Sequence, residues 1–212
     1  MKQYQTYLFD WDGTIAQTLE VWLKVIKDLC NEFGVFPSDK DIADHFGDWE
    51  AARAFGLAED QIPKYVKELE ERSHKAIPNA PLYPDAKDVL NKLKNDGKQL
   101  ALITSSIRRT IELVIEHHGL GGIFDVVVTG NDVRAHKPDP ECIDFAVDAL
   151  GAEKADSIMV GDSIKDLGAA DNAGIDSMLF YPPAHELFYS PDYFDNHKPT
   201  YTIHSWAELN RL

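Results

Sequence analysis

A chain of 212 residues with 21 Lys plus Arg against 36 Asp plus Glu carries a net charge of -15, which opposes long-range attraction to nucleic acid or an anionic bilayer. With 44% hydrophobic and 27% charged residues, it suits one sizeable globular domain with an insertion and is neither disordered nor fibrous. No secretory leader and no apolar run of about 18 residues is visible, and Cys30 and Cys142 match no CxxC pattern. The expectation is a cytoplasmic protein with buried, reduced thiols and neither a nucleic-acid nor a membrane partner.

Four short apolar runs end in polar residues: 6–9 before Asp10, 100–103 before Thr104, 126–128 before Thr129, and 158–160 before Gly161 and Asp162. Uninterrupted runs of this length read as buried parallel strands. Helical patterns over 85–95, 108–118 and 139–150 are each followed by a glycine, Gly97, Gly119 or Gly151. The alternation predicts an α/β fold with a doubly wound parallel sheet of Rossmann type, extended by weaker strands at 177–180 and 201–203 before a short helix from Ser205. Such sheets bind ligands beyond the carboxyl ends of their strands, the edge where these polar residues fall.

One stretch breaks the alternation. From 17 to 77 the pattern is helical throughout, with Leu19, Trp22, Leu23, Ile26, Leu29, Cys30 and Phe33 on one face and Ile62, Tyr65, Val66 and Leu69 on another. This predicts a small helical domain, 17–82, inserted into a core formed by 1–16 and 83–212, with the proline-rich segment 78–84 as the hinge strap. The segment 181–199 has four prolines and five aromatic residues. It is too long for an ordinary connection and is expected to be an ordered loop near the mouth of the site.

Asp10 and Asp12 leave the first strand tip on the same side, where two like charges repel unless a cation lies between them; carboxylates with a backbone carbonyl suit Mg²⁺. An EF-hand is excluded, because its sixth and twelfth positions would be Ile15 and Val21 rather than Gly and Glu. A second acidic pair, Asp162 and Asp166, follows a later strand with helical spacing. Asp162 alone reads equally well as a helix cap. Beside Asp10 and Asp12 it makes a convergent group of four acids, for which a metal is the economical explanation. Thr104 and Ser105 end another strand, and Lys137 precedes Pro138. A lone Lys in that setting is ordinarily a solvated loop residue; at this sheet edge it balances a phosphoryl dianion.

These four motifs, in this order and with a helical insert after the first, resemble the haloacid dehalogenase superfamily, in the phosphoglycolate phosphatase and β-phosphoglucomutase-like branch with a helical cap. The resemblance spans nearly the whole chain except 181–199. It implies an Mg²⁺-dependent phosphatase acting on a small phosphorylated metabolite, working as a monomer or weak homodimer. Asp10 is then the nucleophile that becomes an aspartyl-phosphate, and Asp12 the general acid and later base. Asp10, the Asp12 backbone carbonyl and Asp162 would ligate Mg²⁺, with Asp166 acting directly or through water. Thr104, the amide of Ser105 and Lys137 would hold the phosphoryl oxygens.

The departures from the family pattern narrow the choice. Branches that do not hydrolyse phosphoesters lack the second aspartate, which Asp12 supplies here. Mutases, the alternative reading, commonly carry a His where this chain has Trp22, and an Arg three residues after a cap glycine, where Gly47 is followed by Asp48, Trp49 and Glu50. The usual Asp-Ser or Asp-Thr after the first motif is Gln17-Thr18, which bears on the hinge rather than the chemistry. Between Ala16 and Leu82 eight basic residues face thirteen acidic ones, so the insert does not favour a multiply phosphorylated substrate. Trp22, Trp49, His45, Arg53 and Lys67 are its candidates to face the site, with core packing expected for Trp22 and a solvated helix face for Arg53 and Lys67. A Ser hydrolase using Ser163 would leave Asp10, Asp12 and Lys137 without a role. A phosphoacceptor receiver domain needs no helical insert, and a non-catalytic binding protein would have lost one of the motifs.

Overall fold

The computed structural model describes residues 2–45 and 51–209; Gly47, Asp48, Trp49 and Glu50 lie outside the described residues. Six strands, β1 (Thr6–Phe9), β2 (Gln99–Ile103), β3 (Val126–Val128), β4 (Ser157–Gly161), β5 (Asp176–Phe180) and β6 (Tyr201–Ile203), form one parallel sheet in the order β3-β2-β1-β4-β5-β6. The strands predicted from apolar runs are all present. Five helices flank them: α5 (Ala86–Asn95), α6 (Arg108–His117), α7 (Glu141–Leu150), α8 (Ile164–Ala173) and α9 (Trp206–Leu209), the first four being α1 to α4 of the insert.

Alternation along the strands divides the core into two layers. Tyr7, Phe9, Leu100, Leu102, Ile158 and Val160 face a cluster with Val89, Leu90, Ile111 and Trp206 from α5, α6 and α9. Leu8, Ala101, Ile103 and Met159 point the other way, against Ile143 and Val147 of α7 and Ala169 and Ala170 of α8. Burying each large aliphatic side chain contributes about 1.5–3 kcal/mol, so a sheet covered on both faces holds its strand tips in fixed relation. That rigidity is what the site requires.

The insert is not helical throughout, contrary to the periodic reading. It contains α1 (Thr18–Glu32), α2 (Asp39–Asp44), α3 (Ala51–Ala54) and α4 (Ile62–Ala76). Helix α1 gives way to Gly34 at a φ of 81°, which a residue with a Cβ disfavours. Pro37 follows, and Ser38 then starts α2 with a capping box, accepting the amide of Asp41 while Asp41 accepts that of Ser38. These start and stop signals outweigh the hydrophobic period. Leu29, Cys30, Ala52, Leu57 and Tyr65 form a cluster of their own within the insert. The chain enters and leaves it along paired segments: the Gln17 amide donates to the Pro81 carbonyl at 2.8 Å, and that of Tyr83 to Ile15 at 2.9 Å. Among the described residues no helix is long and apolar enough to cross a membrane.

Candidate active site

The sheet order reverses direction between β1 and β4, and these neighbours run in register with Phe9 beside Val160. The residues just beyond their tips therefore meet in the crevice where open α/β sheets take ligands. One ligand oxygen from each of Asp10, Asp162 and Asp166 lies within 4.8 Å of the others, and all three residues are buried. Two glycines make this approach possible. A Cβ on Gly13 would sit 2.4 Å from Asp162 Oδ2, and one on Gly161 would sit 2.3 Å from Asp166 Cγ.

Lys137 reaches this group from the loop between β3 and α7. Its Nζ donates to Asp10 Oδ1 at 2.7 Å and to Asp166 Oδ1 at 2.6 Å, with its side chain only 7% exposed. A solvated loop lysine is thereby ruled out. Ser163, not Asp162, caps α8: Asp166 Oδ2 accepts from both the amide and the hydroxyl of Ser163. The capping alternative for Asp162 fails. Asp162 instead accepts from Thr14 Oγ1 at 3.2 Å and from the Tyr189 hydroxyl at 2.9 Å.

The Asp12 carboxylate stands apart from the three. Ser106 Oγ donates to its Oδ2 at 3.1 Å. Thr104 is buried at the tip of β2, its Oγ1 accepting the Ser106 amide at 3.1 Å, so its own proton is available to a ligand. Ser105 is exposed and lines the cavity with Asp10, Asp12 and Lys137.

Electrostatics follow from burial. Desolvation pushes the Asp10 carboxyl up to about 7 even though Lys137 pulls it down. Burial likewise raises Asp12, against the hydroxyls of Thr18 and Ser106, and raises Asp162 well above the usual carboxylate range, with Asp166 and Asp10 adding repulsion. Drying works against the Lys137 cation, but Asp10 and Asp166 more than restore it and hold it protonated. Four carboxyl groups share one bonded ammonium, so ionising them all requires further positive charge, and every ligand atom they offer is a hard oxygen. That set fits a divalent cation of the magnesium kind.

The site opens into a cavity of about 440 Å³ whose outer wall includes Lys40 and Asp44 of α2 and Tyr189 and Tyr193 of the 181–199 segment. A second, mainly apolar cavity of about 630 Å³ is walled by Trp22 and Ile26 of α1, Phe55, Tyr65 and Leu69 of the insert, and Thr110 of α6. Trp22 is half-buried and faces this space, not a closed core as the stripe suggested. His45 lines it too. Arg53 pairs with Glu59 at 2.7 Å and Lys67 is exposed beside Glu71, so both lie on solvated faces.

Residues 7–180 match the model of the haloacid dehalogenase-like hydrolase family. The chain belongs to that family. Pyrophosphatase PpaX of Bacillus velezensis is 31% identical over 180 residues, covering 82% of this chain and 81% of that protein. Pyrophosphatase PpaX of Halalkalibacterium halodurans is 28% identical over 220 residues, covering 98% and 95%. Among solved structures, a haloacid dehalogenase-like family hydrolase from Streptococcus pneumoniae superposes with a TM-score of 0.78 at 23% identity, over 100% of this chain and 99% of that one. The fold is thus that of haloacid dehalogenase-like hydrolases, and the protein is an enzyme of that family.

For such a hydrolase the motif residues Asp10, Asp12, Thr104, Lys137, Asp162 and Asp166 fall at one sheet edge. Sequence reasoning missed Ser106, Tyr189, Lys40 and Asp44. Ser106 follows Thr104-Ser105 directly and was within reach of a motif reading. Tyr189 lies in 181–199, the proline- and aromatic-rich segment expected near the mouth of the site, though nothing singles out that residue, and nothing local signals Lys40 or Asp44.

Proposed function

We propose that the protein is a divalent-metal-dependent phosphatase that hydrolyses a small phosphomonoester through an aspartyl-phosphate on Asp10. The observation that carries this reading is the convergence of Asp10, Asp162 and Asp166 within 4.8 Å, with Lys137 bonded to Asp10. Asp10, the Asp12 main-chain carbonyl and Asp162 would hold Mg²⁺, with Asp166, bonded to Lys137 and Ser163, acting directly or through water. When bound, the cation neutralises charge on the transferring phosphoryl group.

The chain's own residues do the remainder. Thr104 Oγ, the Ser105 amide and Lys137 hold the phosphoryl oxygens in line with an Asp10 oxygen. That oxygen forms a bond to phosphorus as the bond from phosphorus to the leaving oxygen breaks. Asp12, whose raised pKa suits a group that must carry a proton, delivers it to the leaving oxygen. Asp12 then takes a proton from water as that water's oxygen bonds to phosphorus, and the bond from phosphorus to Asp10 breaks. Phosphate leaves, and Asp10 and Asp12 return to their starting states. The helical insert acts as the cap that excludes bulk water, and its acidic excess and apolar cavity suit a leaving group without further phosphates. Pyrophosphate, the substrate implied by the relatives' names, is the comparison to make.

Purified protein is assayed with para-nitrophenyl phosphate and with pyrophosphate, with Mg²⁺ and with excess chelator. Hydrolysis is expected only with Mg²⁺, and with the higher kcat/KM on the aryl phosphate. Full activity in excess chelator overturns the metal-dependent reading.

A further inference from the structure

The segment 181–199 leaves β5 and makes two single 3₁₀ turns, Pro183–Leu187 and Pro191–Phe194. It is tied down at its inner end. His185 is completely buried, with its Nε2 2.7 Å from the Tyr83 hydroxyl, which also lies 3.1 Å from Glu20 Oε1 on α1. Burial keeps this imidazole neutral, pushing its pKa down to about 4. Further along, the Tyr181 hydroxyl donates to the Tyr189 carbonyl at 2.7 Å. The Tyr189 ring stacks on Tyr193 with centroids 4.8 Å apart and meets Phe194 edge-on at 5.8 Å. The backbone and ring of Tyr189 are therefore both held, and its hydroxyl is delivered to Asp162 Oδ2 at 2.9 Å.

We propose that Tyr189 is a positioning residue for the cation site, holding the Asp162 carboxylate in its ligating orientation and thereby setting the affinity of the acidic cluster for a divalent metal. This rests on the reading of that cluster as a metal site. Asp162 is clasped on two sides: Thr14 bonds Oδ1, and Tyr189 bonds Oδ2 on the side packed against Gly13. Each carboxylate oxygen has two lone pairs, so one hydrogen bond to each leaves lone pairs for a cation. A hydroxyl donor to the ionised form also offsets part of the cost of keeping this carboxylate charged while dry. Hydrogen bonds to ligating carboxylates are worth roughly 10–100-fold in metal affinity. Thr14 comes with the first motif. Tyr189 comes only with the 181–199 segment, so an element outside the four motifs has a part in the metal site.

The test is calorimetric titration of MgCl₂ alone, without substrate, into chelator-cleared wild type, Tyr189→Phe and a control, Ser190→Ala, at the neighbouring residue that lines the same cavity. Tyr189→Phe keeps the ring and its stacking, and far-UV circular dichroism verifies its fold. Its Mg²⁺ dissociation constant is expected to rise roughly tenfold or more, with Ser190→Ala unchanged. A role confined to packing would lower the melting temperature in chelator and leave the dissociation constant where it was. A Tyr189→Phe constant within twofold of wild type overturns the proposal while leaving the metal reading standing. Absence of saturable Mg²⁺ binding by the wild type removes both. As a second variant, Tyr193→Phe preserves the Tyr189 hydroxyl and should bind Mg²⁺ like wild type; a loss equal to that of Tyr189→Phe would assign the effect to the aromatic stack and overturn the role of the hydroxyl.

Discussion

Replacing Lys137 by methionine removes the ammonium while keeping most of the side-chain volume, and so exposes the charge imbalance of the acidic cluster. Its contacts to Asp10 and Asp166 are 2.7 and 2.6 Å. At an effective dielectric of about 20, each is worth about 6 kcal/mol of attraction. Drying the ammonium costs several kcal/mol, and removing one partner of a buried ion pair typically destabilises by about 3–5 kcal/mol. For a chain of this size that is a fall of roughly 6–20 °C in melting temperature. The assay is urea unfolding of both proteins in chelator at pH 8, repeated with Mg²⁺ and at pH 5. Mg²⁺ should recover part of the deficit, because it replaces the missing positive charge. Lower pH should recover part as well. Burial holds the Asp10 pKa at about 7, against an ordinary value of 3.8, so between about 4 and 7 the native state binds the proton that the unfolded chain has released. In that window each fall in pH favours the native state, and without Lys137 the carboxyl rises further. A variant within about 1 kcal/mol of wild type in chelator at pH 8 would refute the electrostatic role given to Lys137.

Asp10→Asn keeps the shape of the proposed nucleophile and removes its charge. Turnover should fall by several orders of magnitude with the fold retained, and a variant within roughly tenfold of wild type excludes covalent catalysis through Asp10. Hydrolysis should also dominate over phosphoryl return to a second sugar hydroxyl, since Trp22, which walls the apolar cavity, stands where mutases commonly carry a His. Incubation with β-glucose 1-phosphate, a trace of the bisphosphate and Mg²⁺ should release phosphate; glucose 6-phosphate forming many times faster than phosphate would make the enzyme a mutase.

Much of the site is legible before any folding because its signals are local. An apolar run ending in Asp10-x-Asp12 declares both a buried strand and a pair of charges at its tip, and the same holds for Ile158–Val160 before Asp162. In a sheet buried on both faces each strand declares its own position by an uninterrupted apolar run, and parallel order brings like ends together. The insert was less legible. Its hydrophobic stripe runs across Gly34 and Pro37, where backbone freedom and a missing amide end the helix, and the capping box at Ser38 begins another. A period of 3.6 does not report where a helix stops.

Legible in the chain alone are therefore the class of the fold, the order of the candidate catalytic groups and the excess of acid at one edge. The tertiary structure alone decided how that acid is managed. Lys137 divides itself between Asp10, 127 residues away, and Asp166, 29 away; Ser106 takes the Asp12 carboxylate across 94 residues; and Tyr189, from a proline-rich loop with no motif, reaches Asp162. No local pattern encodes such pairs. A hydrogen bond forms only within about 3 Å, so each depends on where the packed sheet and helices deliver the two backbones, which is a property of the whole core.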